Sequence, residues 1–194
     1  MGEASRNNPA ADYLNSQFLI AMPGMQDPNF HRTVTLVVEH TDRGALGLVV
    51  NRPTDVRLRD IYDQLSIEAT AEQYGKAPVF MGGPVQPERG FVVHGIDSRW
   101  ESTWNVSSDV AVTTSRDVLQ AMANGDGPDN ALVALGYAGW ESGQLEEEMA
   151  RNAWLTVPAE QMILFDTPCE DRWDAAAGLI GIDIALISTT SGHA

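Results

Sequence analysis

The chain has 194 residues, 43% of them apolar, which is the length and composition of a single domain with a substantial hydrophobic core. Its 12 basic and 27 acidic residues give a net charge of −15, which disfavours binding to nucleic acids and to anionic membrane surfaces. The single cysteine, Cys169, excludes an internal disulfide and a cysteine-rich zinc site, and no run approaches the ~20 apolar residues of a membrane-spanning helix, so a cytoplasmic protein is expected.

The N-terminal segment has no hydrophobic periodicity. Residues 1–15 mix Asn, Ala, Ser, Pro and charged residues, which predicts a disordered leader before a folded domain over residues 16–194. The apolar run at residues 18–22, followed by Pro23-Gly24, is typical of a strand that ends at a turn.

The next segment reads as a β-hairpin. From residue 33 to residue 39 apolar and polar side chains alternate, which predicts a strand buried on one face. Asp42-Arg43-Gly44 has the composition of a tight turn, and the apolar run at residues 45–50 supplies the second strand.

An amphipathic helix is predicted next. Apolar residues recur at the i, i+3, i+4, i+7 spacing of one helix face: Leu58, Ile61, Tyr62 and Leu65. Thr54 or Asp55 is the candidate N-cap. Arg52, Arg57 and Arg59 form the densest basic stretch of the chain, and three arginines indicate a solvated helix face rather than a nucleic-acid patch.

Short apolar segments bounded by Gly and Pro predict three further strands, at residues 78–81, 90–94 and 110–114. The Gly82-Gly83-Pro84 segment between the first two is too rich in Gly and Pro to be regular. Thr114 or Ser115 then caps an amphipathic helix that ends at Asn124-Gly125, where glycine is the favoured C-terminal residue.

The continuously apolar residues 131–135 predict a strand covered on both faces, and residues 136–143 predict a junction from that strand to a helix near residues 144–151. Glu147 and Arg151 are expected to pair in this helix. Three consecutive carboxylates fan around a helix instead of converging, so they are interpreted as a solvated face: Glu146, Glu147 and Glu148.

The C-terminal part is predicted to hold a strand at residues 162–165, a helix around residues 173–180 and a last apolar segment at residues 182–187. Strands cluster early in the chain and helices are interspersed later. This order indicates a single-domain α+β fold, with a mixed sheet and helices packed around it.

The sequence contains none of the common phosphate-loop, dinucleotide-binding, zinc-protease or nucleophile-elbow motifs, and it predicts no cofactor. The histidines are spaced too widely to indicate a metal site, and each is interpreted as structural: His31, His40, His94 and His193. His94 alone ends a predicted strand before a glycine, where a side chain can lie at the rim of a cleft.

Irregular blocks at the strand ends supply the candidate ligand-binding residues: Asn51, Arg52, Gly82, Gly83, His94, Trp140 and Gln144. The two glycines can present backbone N–H groups to an anion, with Arg52 as countercharge, and Trp140 can stack on a planar group. The structural alternatives are a tight turn for the glycines, a surface ion pair for Arg52 and core packing for Trp140.

Five blocks of sequence resemble the AlgH (YqgE) family of bacterial proteins: residues 17–30 (QFLIAMPGMQDPNF), 44–53 (GALGLVVNRP), 82–84 (GGP), 89–94 (RGFVVH) and 139–146 (GWESGQLE). The resemblance implies an α+β fold with a branched or barrel-like sheet surrounded by helices, in a cytoplasmic protein. The family has a transcriptional-regulator label, but the resemblance implies no agreed substrate, cofactor or catalytic residue.

Three functions are therefore considered. The first is a non-catalytic regulatory or binding protein that recognises a small molecule or another protein through a cleft at the strand ends. The second is an enzyme in which His94 acts as acid or base, Arg52 holds an anion and the Gly83 N–H stabilises an oxyanion. The third is a transcriptional regulator that binds DNA directly, which the net charge disfavours.

Overall fold

The computed structural model describes residues 13–189. Most of the predicted leader and His193 therefore lie outside the described residues. Within the leader's predicted range, the backbone N–H of Leu14 and both polar side-chain atoms of Asn15 hydrogen-bond to His40. No helix in residues 13–189 is long and apolar enough to cross a membrane.

The strands are β1 (Gln17–Ala21), β2 (Val34–Thr41), β3 (Gly44–Val49), β4 (Pro53–Arg57), β5 (Pro78–Met81), β6 (Val85–Gly95), β7 (Thr103–Asn105), β8 (Val110–Thr113), β9 (Ala131–Glu141) and β10 (Trp154–Pro158). The helices are α1 (Leu58–Gln64), α2 (Arg116–Asn124), α3 (Gln144–Ala150), a π-helix (Met162–Asp166), α4 (Arg172–Gly178) and α5 (Ile184–Thr189).

One curled, mostly antiparallel sheet organises the fold, in the order β10-β1-β2-β3-β9-β6-β8-β7. Strand β9 is where it branches. Along one edge β9 pairs with β6, and along the other it pairs first with β5, in parallel over residues 133–135, and then with β3 over residues 138–141. The sheet is thus mixed and branched, and the predicted α+β fold class is confirmed.

Hydrophobic clusters cover both faces of the sheet. In β1, Phe18 and Ile20 face the main core, which α4 closes with Trp173, while Leu19 and Ala21 face a second cluster. This explains the continuous apolar run of β1, because a strand covered on both faces has no polar side. The same arrangement makes the first half of β2 buried on both faces, so the prediction of a strand buried on one face was wrong.

The predicted hairpin and both predicted ends of helix α2 are confirmed. β2 and β3 form the predicted hairpin, with Thr41 opposite Gly44. Helix α2 begins after Ser115 and ends at Gly125 in the left-handed conformation. Each of these features depends on turn or cap residues that act within a few positions in the chain.

Several predictions in the other segments were wrong. Helix α1 begins after Arg57, whose N–H bonds the Asp60 carboxylate at 2.7 Å, and not after Thr54 or Asp55, because these two residues belong to β4. Arg52 precedes β4 and so does not lie on a helix face.

The region after residue 135 also differs from its prediction. It continues as strand β9 to Glu141, because β3 supplies hydrogen-bond partners there, so the junction to α3 is only Ser142-Gly143. The predicted strand at residues 162–165 is instead the π-helix, in which the Thr167 N–H bonds the Met162 carbonyl at 2.9 Å. An apolar run this short fits either structure.

Candidate functional site

A cavity of about 530 Å³ lies between the start of β9, the π-helix and the loop that leads into α4. We call it the Arg172 cavity, after the most buried charged side chain that lines it. Its wall also includes a π-helical turn, an element that occurs frequently at functional sites. No residue of this cavity was among the candidate ligand-binding residues predicted from the sequence.

Arg172 is a buried cation whose hydrogen bonds in the described structure go only to neutral carbonyl groups. Its side chain is 7% exposed. Nε donates to the Thr167 carbonyl at 3.0 Å, Nη1 donates to the Val50 carbonyl, and the guanidinium carbon lies 5.3 Å from the centre of the Phe80 ring. No carboxylate among residues 13–189 forms a salt bridge with it, and Nη2 has no hydrogen-bond acceptor within that range.

Burial lowers the pKa of Arg172, while the nearby Cys169 and Glu170 act in the opposite direction. A guanidinium nevertheless stays protonated near neutral pH, because its ordinary pKa lies far above neutrality. The cavity therefore holds a positive charge, and one of its nitrogens, Nη2, has no acceptor within residues 13–189.

The other polar groups of the cavity are acidic or weakly reactive. Asp129, Asp166 and Glu170 are exposed and line the opening. The Cys169 thiol donates to the Glu170 carboxylate at 3.2 Å, and burial, followed by this contact, raises the pKa of Cys169. The Tyr74 hydroxyl lies 2.5 Å from the Pro128 carbonyl, and burial raises the pKa of Tyr74. The cavity thus presents a thiol and a phenol in their protonated forms.

Asn51 and Arg52 hold the loop between β1 and β2. The Asn51 amide accepts from the Val34 N–H and donates to the Arg32 carbonyl, each at 2.9 Å. Arg52 donates to the carbonyls of Pro28 at 2.6 Å and His31 at 2.8 Å. These four contacts join side chains to neutral backbone groups. Within residues 13–189 Arg52 forms no ion pair, which was its predicted structural alternative.

Gly82 and Gly83 lie in the fork of the branched sheet. The Gly82 N–H donates to Leu135 and its carbonyl accepts from Val49, each at 2.8 Å, so its N–H is used within the sheet. A Cβ on Gly82 would lie 2.3 Å from the Gly136 carbonyl oxygen, and one on Gly83 would lie 2.1 Å from the Tyr137 carbonyl carbon. Close packing of backbones is therefore the reason that these positions are glycine.

His94 belongs to β6, where it is paired with β8. Its side chain is completely buried and does not lie at the rim of a cleft. Nδ1 lies 2.6 Å from the Gly95 carbonyl, which can only accept, so Nδ1 carries the hydrogen. Nε2, 2.8 Å from the Thr113 hydroxyl, then accepts. Both ring nitrogens are satisfied in the neutral form, as expected for a structural histidine.

We expect His94 to make the protein less stable in mild acid. Burial lowers its pKa in the folded state, against opposing effects of Gly95 and Asp97, so below pH ~6.5 the unfolded chain binds the proton more readily. The free energy of unfolding should fall from pH 6.5 downward, by at most about 1.4 kcal/mol per pH unit for this group. Urea denaturation at several pH values from 5 to 8 measures this free energy of unfolding. His94→Gln should flatten the profile, whereas the exposed His31→Gln should not, and identical slopes in both variants would contradict the prediction.

Trp140 and Gln144 both donate hydrogen bonds to the carboxylate of Glu148, which the sequence predicts on a solvated helix face. Glu148 Oε2 accepts from the indole N–H groups of Trp140 at 2.9 Å and Trp154 at 2.8 Å, and its Oε1 accepts from Gln144 at 3.0 Å. Both indoles are nearly buried, and Phe30 packs against both rings. Trp140 therefore serves core packing, although one side of it lines a shallow surface depression.

The other two carboxylates of α3 differ from each other. Glu146 bonds Nε2 of the buried His40 at 3.0 Å, while Nδ1 of that ring accepts the Leu14 N–H. Glu147 forms the predicted pair with Arg151 at 3.8 Å, with both side chains more than 70% exposed. The solvated-face interpretation thus holds for Glu147 alone.

The seven predicted residues consequently make different contacts. Asn51 and Arg52 hold the loop after β1 and adjoin the two glycines, since the Met81 N–H bonds the Arg52 carbonyl at 2.9 Å. His94 bonds Gly95 and Thr113, whereas Trp140 and Gln144 bond Glu148. His94 and Arg52 line none of the four cavities described in residues 13–189. Ligand binding by these residues stays a prediction. Groups of three or more metal-ligating side chains are likewise absent from the described part of the chain.

Sequence reasoning missed Arg172. It follows two acidic residues, which indicates an exposed ion pair, and the only contrary signal is that it precedes Trp173 on the buried face of α4. Its burial depends on Val50, which lies 122 positions away in the sequence. A contact over such a separation leaves no local pattern.

The fold and the cavity define a single-domain α+β protein built on a curled, branched sheet. The AlgH-like family profile (DUF179) matches residues 18–185, and the chain belongs to that family. A UPF0301 protein of Saccharophagus degradans is 55% identical over 181 residues, which cover 93% of this chain and 89% of that protein.

Two solved structures are similar in fold. The solution structure of AlgH from Pseudomonas aeruginosa matches with a TM-score of 0.76 and 47% identity, and the match covers 100% of both chains. A crystal structure of a Corynebacterium diphtheriae protein matches with a TM-score of 0.72 over 95% of this chain and 94% of that one, and at 19% identity it shows the fold alone. The resemblance stated from the sequence is confirmed, and the names of these relatives specify no activity.

Proposed function

We propose that this protein is a non-catalytic, cytoplasmic binding protein that recognises a small molecule in the Arg172 cavity. The observation that carries the proposal is the buried guanidinium, which forms no salt bridge with a carboxylate in residues 13–189. A buried charge is stabilised chiefly by pairing, and neutral carbonyls supply only part of that stabilisation. An anionic group on a ligand, bound at Nη2, would complete the site.

The dimensions and lining of the cavity support small-molecule binding. A volume of about 530 Å³ is within the range of ligand pockets, which combine apolar walls with a few polar groups. Phe80, Leu132 and Leu164 provide apolar wall beside the single buried cation. The lone cysteine supports the cytoplasmic assignment, since reducing compartments do not favour disulfide scaffolds.

The chemistry of the cavity favours binding over catalysis. Cys169 is held as a thiol, which is a far weaker nucleophile than a thiolate. Tyr74 already donates its hydroxyl hydrogen to a backbone carbonyl. None of the three histidines in residues 13–189 lines the cavity, so the usual acid–base group is missing from this part of the site.

Direct DNA binding has little support. The structure brings Arg57, Arg59 and Lys76 together around one shallow depression, but Asp60 lies among them. DNA-binding surfaces typically neutralise about six to ten phosphates, and the net charge of −15 opposes the approach of any polyanion. A regulatory role is therefore more readily exercised through a ligand or a protein partner.

The test is a ligand screen with cavity variants. We expect at least one compound of a metabolite panel to stabilise the protein in a thermal-shift assay, by up to about 2.7 kcal/mol at a hundredfold excess over Kd. Arg172→Lys, which keeps the charge but loses the planar fork, should raise Kd at least tenfold. Because that variant disturbs two backbone contacts, Ala77→Phe provides a second test by filling the cavity from its wall.

Arg99→Lys is the matched control, since it makes the same exchange at an exposed arginine outside the cavity. It should bind like the unaltered protein. The proposal is wrong if no compound of the panel binds, or if binding survives both Arg172→Lys and Ala77→Phe in folded protein.

A further inference from the structure

The charges of the Arg172 cavity are arranged by depth. The one cation, Arg172, is 7% exposed, whereas the three carboxylates of Asp129, Asp166 and Glu170 are exposed. A ligand that enters this cavity therefore passes a negative opening before it reaches a positive charge. The inference below rests on the proposed function, because it concerns the ligand of the same cavity.

The buried end can accommodate one acceptor group. Backbone carbonyls use two of the five guanidinium N–H donors, one on Nε and one on Nη1, and Nη2 is the only guanidinium nitrogen without an acceptor within the described structure. Phosphate sites normally surround a doubly charged group with several donors. One nitrogen behind three carboxylates suits a singly charged carboxylate better than a phosphate.

The opening suits a cation. Asp129 and Asp166 form no salt bridge with any residue between 13 and 189, and neither carboxylate accepts a hydrogen bond from that part of the chain. Glu170 accepts from the weak Cys169 thiol donor and from its own backbone N–H, and it forms no salt bridge within residues 13–189. An ammonium group at the opening would be attracted to all three, and the net charge of the protein adds to that attraction.

The space between these charges is lined by apolar side chains, among them Phe80, Leu132 and Leu164, each at most 6% exposed. We propose that the cavity binds a small zwitterion of the amino-acid class. Its carboxylate contacts Arg172 Nη2, its ammonium lies among Asp129, Asp166 and Glu170, and its hydrocarbon part packs against the apolar wall.

The experiment uses pooled probes on the full chain at 0.15 M NaCl. Saturation-transfer NMR is run with a pool of α- and ω-amino acids, and the member that binds is then titrated with its N-acetyl derivative and its methyl ester. N-acetylation removes the positive charge and esterification removes the negative charge. The free amino acid should bind at least tenfold more tightly than either derivative, and inorganic phosphate should not compete.

Two variants, each of which removes one negative charge, test where the ammonium group of the ligand binds. Asp166→Asn should weaken the amino acid at least threefold while leaving its N-acetyl derivative unchanged or tighter. Asp174→Asn, an exposed position on α4 outside the cavity, is the control and should leave both affinities unchanged. Both substitutions are at the surface, so loss of folding does not obscure the comparison.

The outcomes separate this inference from the proposed function. If no amino acid of the pool binds, or if the N-acetyl derivative, the ester or phosphate binds as tightly as the amino acid, the zwitterion proposal is overturned. Binding of another compound that Arg172→Lys weakens would still support the cavity as a binding site. A screen without any binder overturns both.

Discussion

Gly83→Ala is expected to destabilise the protein by about 3–5 kcal/mol. The added Cβ would lie 2.1 Å from the carbonyl carbon and 2.3 Å from the carbonyl oxygen of Tyr137. These are backbone atoms of β9, which is paired with β3 and β6, so they cannot move aside without loss of sheet hydrogen bonds. The residue also has φ of +155°, which side chains rarely adopt. Urea or thermal unfolding measures the loss.

Gly24→Ala is the control for this substitution. Gly24 is exposed, and a Cβ there meets nothing within 4 Å. It should change the free energy of unfolding by no more than about 0.5 kcal/mol. If Gly83→Ala were equally mild, the close approach of the two backbones in the fork would be wrong, and a flexible glycine loop that binds an anion would again be plausible.

Glu148→Ala is expected to cost about 2–4 kcal/mol of stability. Its carboxylate accepts three hydrogen bonds, two of them from the indoles of Trp140 and Trp154, which are 6% and 3% exposed. Without it two nearly buried donors lose their acceptor, and the cost of leaving such donors unpaired is about 1–3 kcal/mol each. Glu148→Gln should lose less, about 1 kcal/mol, because one carbonyl oxygen remains to accept from the indoles.

The neighbouring Glu147→Ala serves as its control. Glu147 and its partner Arg151 are 73% and 78% exposed, and such helix-surface pairs contribute only about 0.3–0.5 kcal/mol. Chemical denaturation gives the stabilities, and tryptophan fluorescence reports whether the indole environment changes, which only the Glu148 variants should show. Equal losses at both positions would mean that the carboxylate of Glu148 does not hold the two indoles.

Two of the irregular blocks at the strand ends are held by contacts within the fold. Residues 51–53 and 82–84 supply backbone links that hold the branch of the sheet and the loop after β1. Their unusual composition is explained by these links. The ligand proposed for this protein is instead recognised at the other end of the parallel pair, beside the first residues of β5 and β9.

Local sequence patterns were sufficient for elements whose partners are near in the chain. The hairpin of β2 and β3 follows from alternation and a turn, and α2 follows from Ser115 at one end and Gly125 at the other. The apolar residues 131–135 indicated a strand covered on both faces, which β9 is. The blocks that resemble the AlgH family extended this reading to the whole fold, including its branched sheet.

The tertiary structure alone decided where burial and pairing join distant residues. Strand β9 continues past Gly136 because β3 pairs with it there, and residues 162–165 form a π-helix in which Ile163 and Leu164 are buried in the main core. Glu148 is held by two indoles that come from different strands, and Arg172 is buried against a carbonyl 122 residues away. The sequence determined which residues are charged or apolar, whereas the folded chain determined which charges lose their contact with water, and on that loss the proposed site depends.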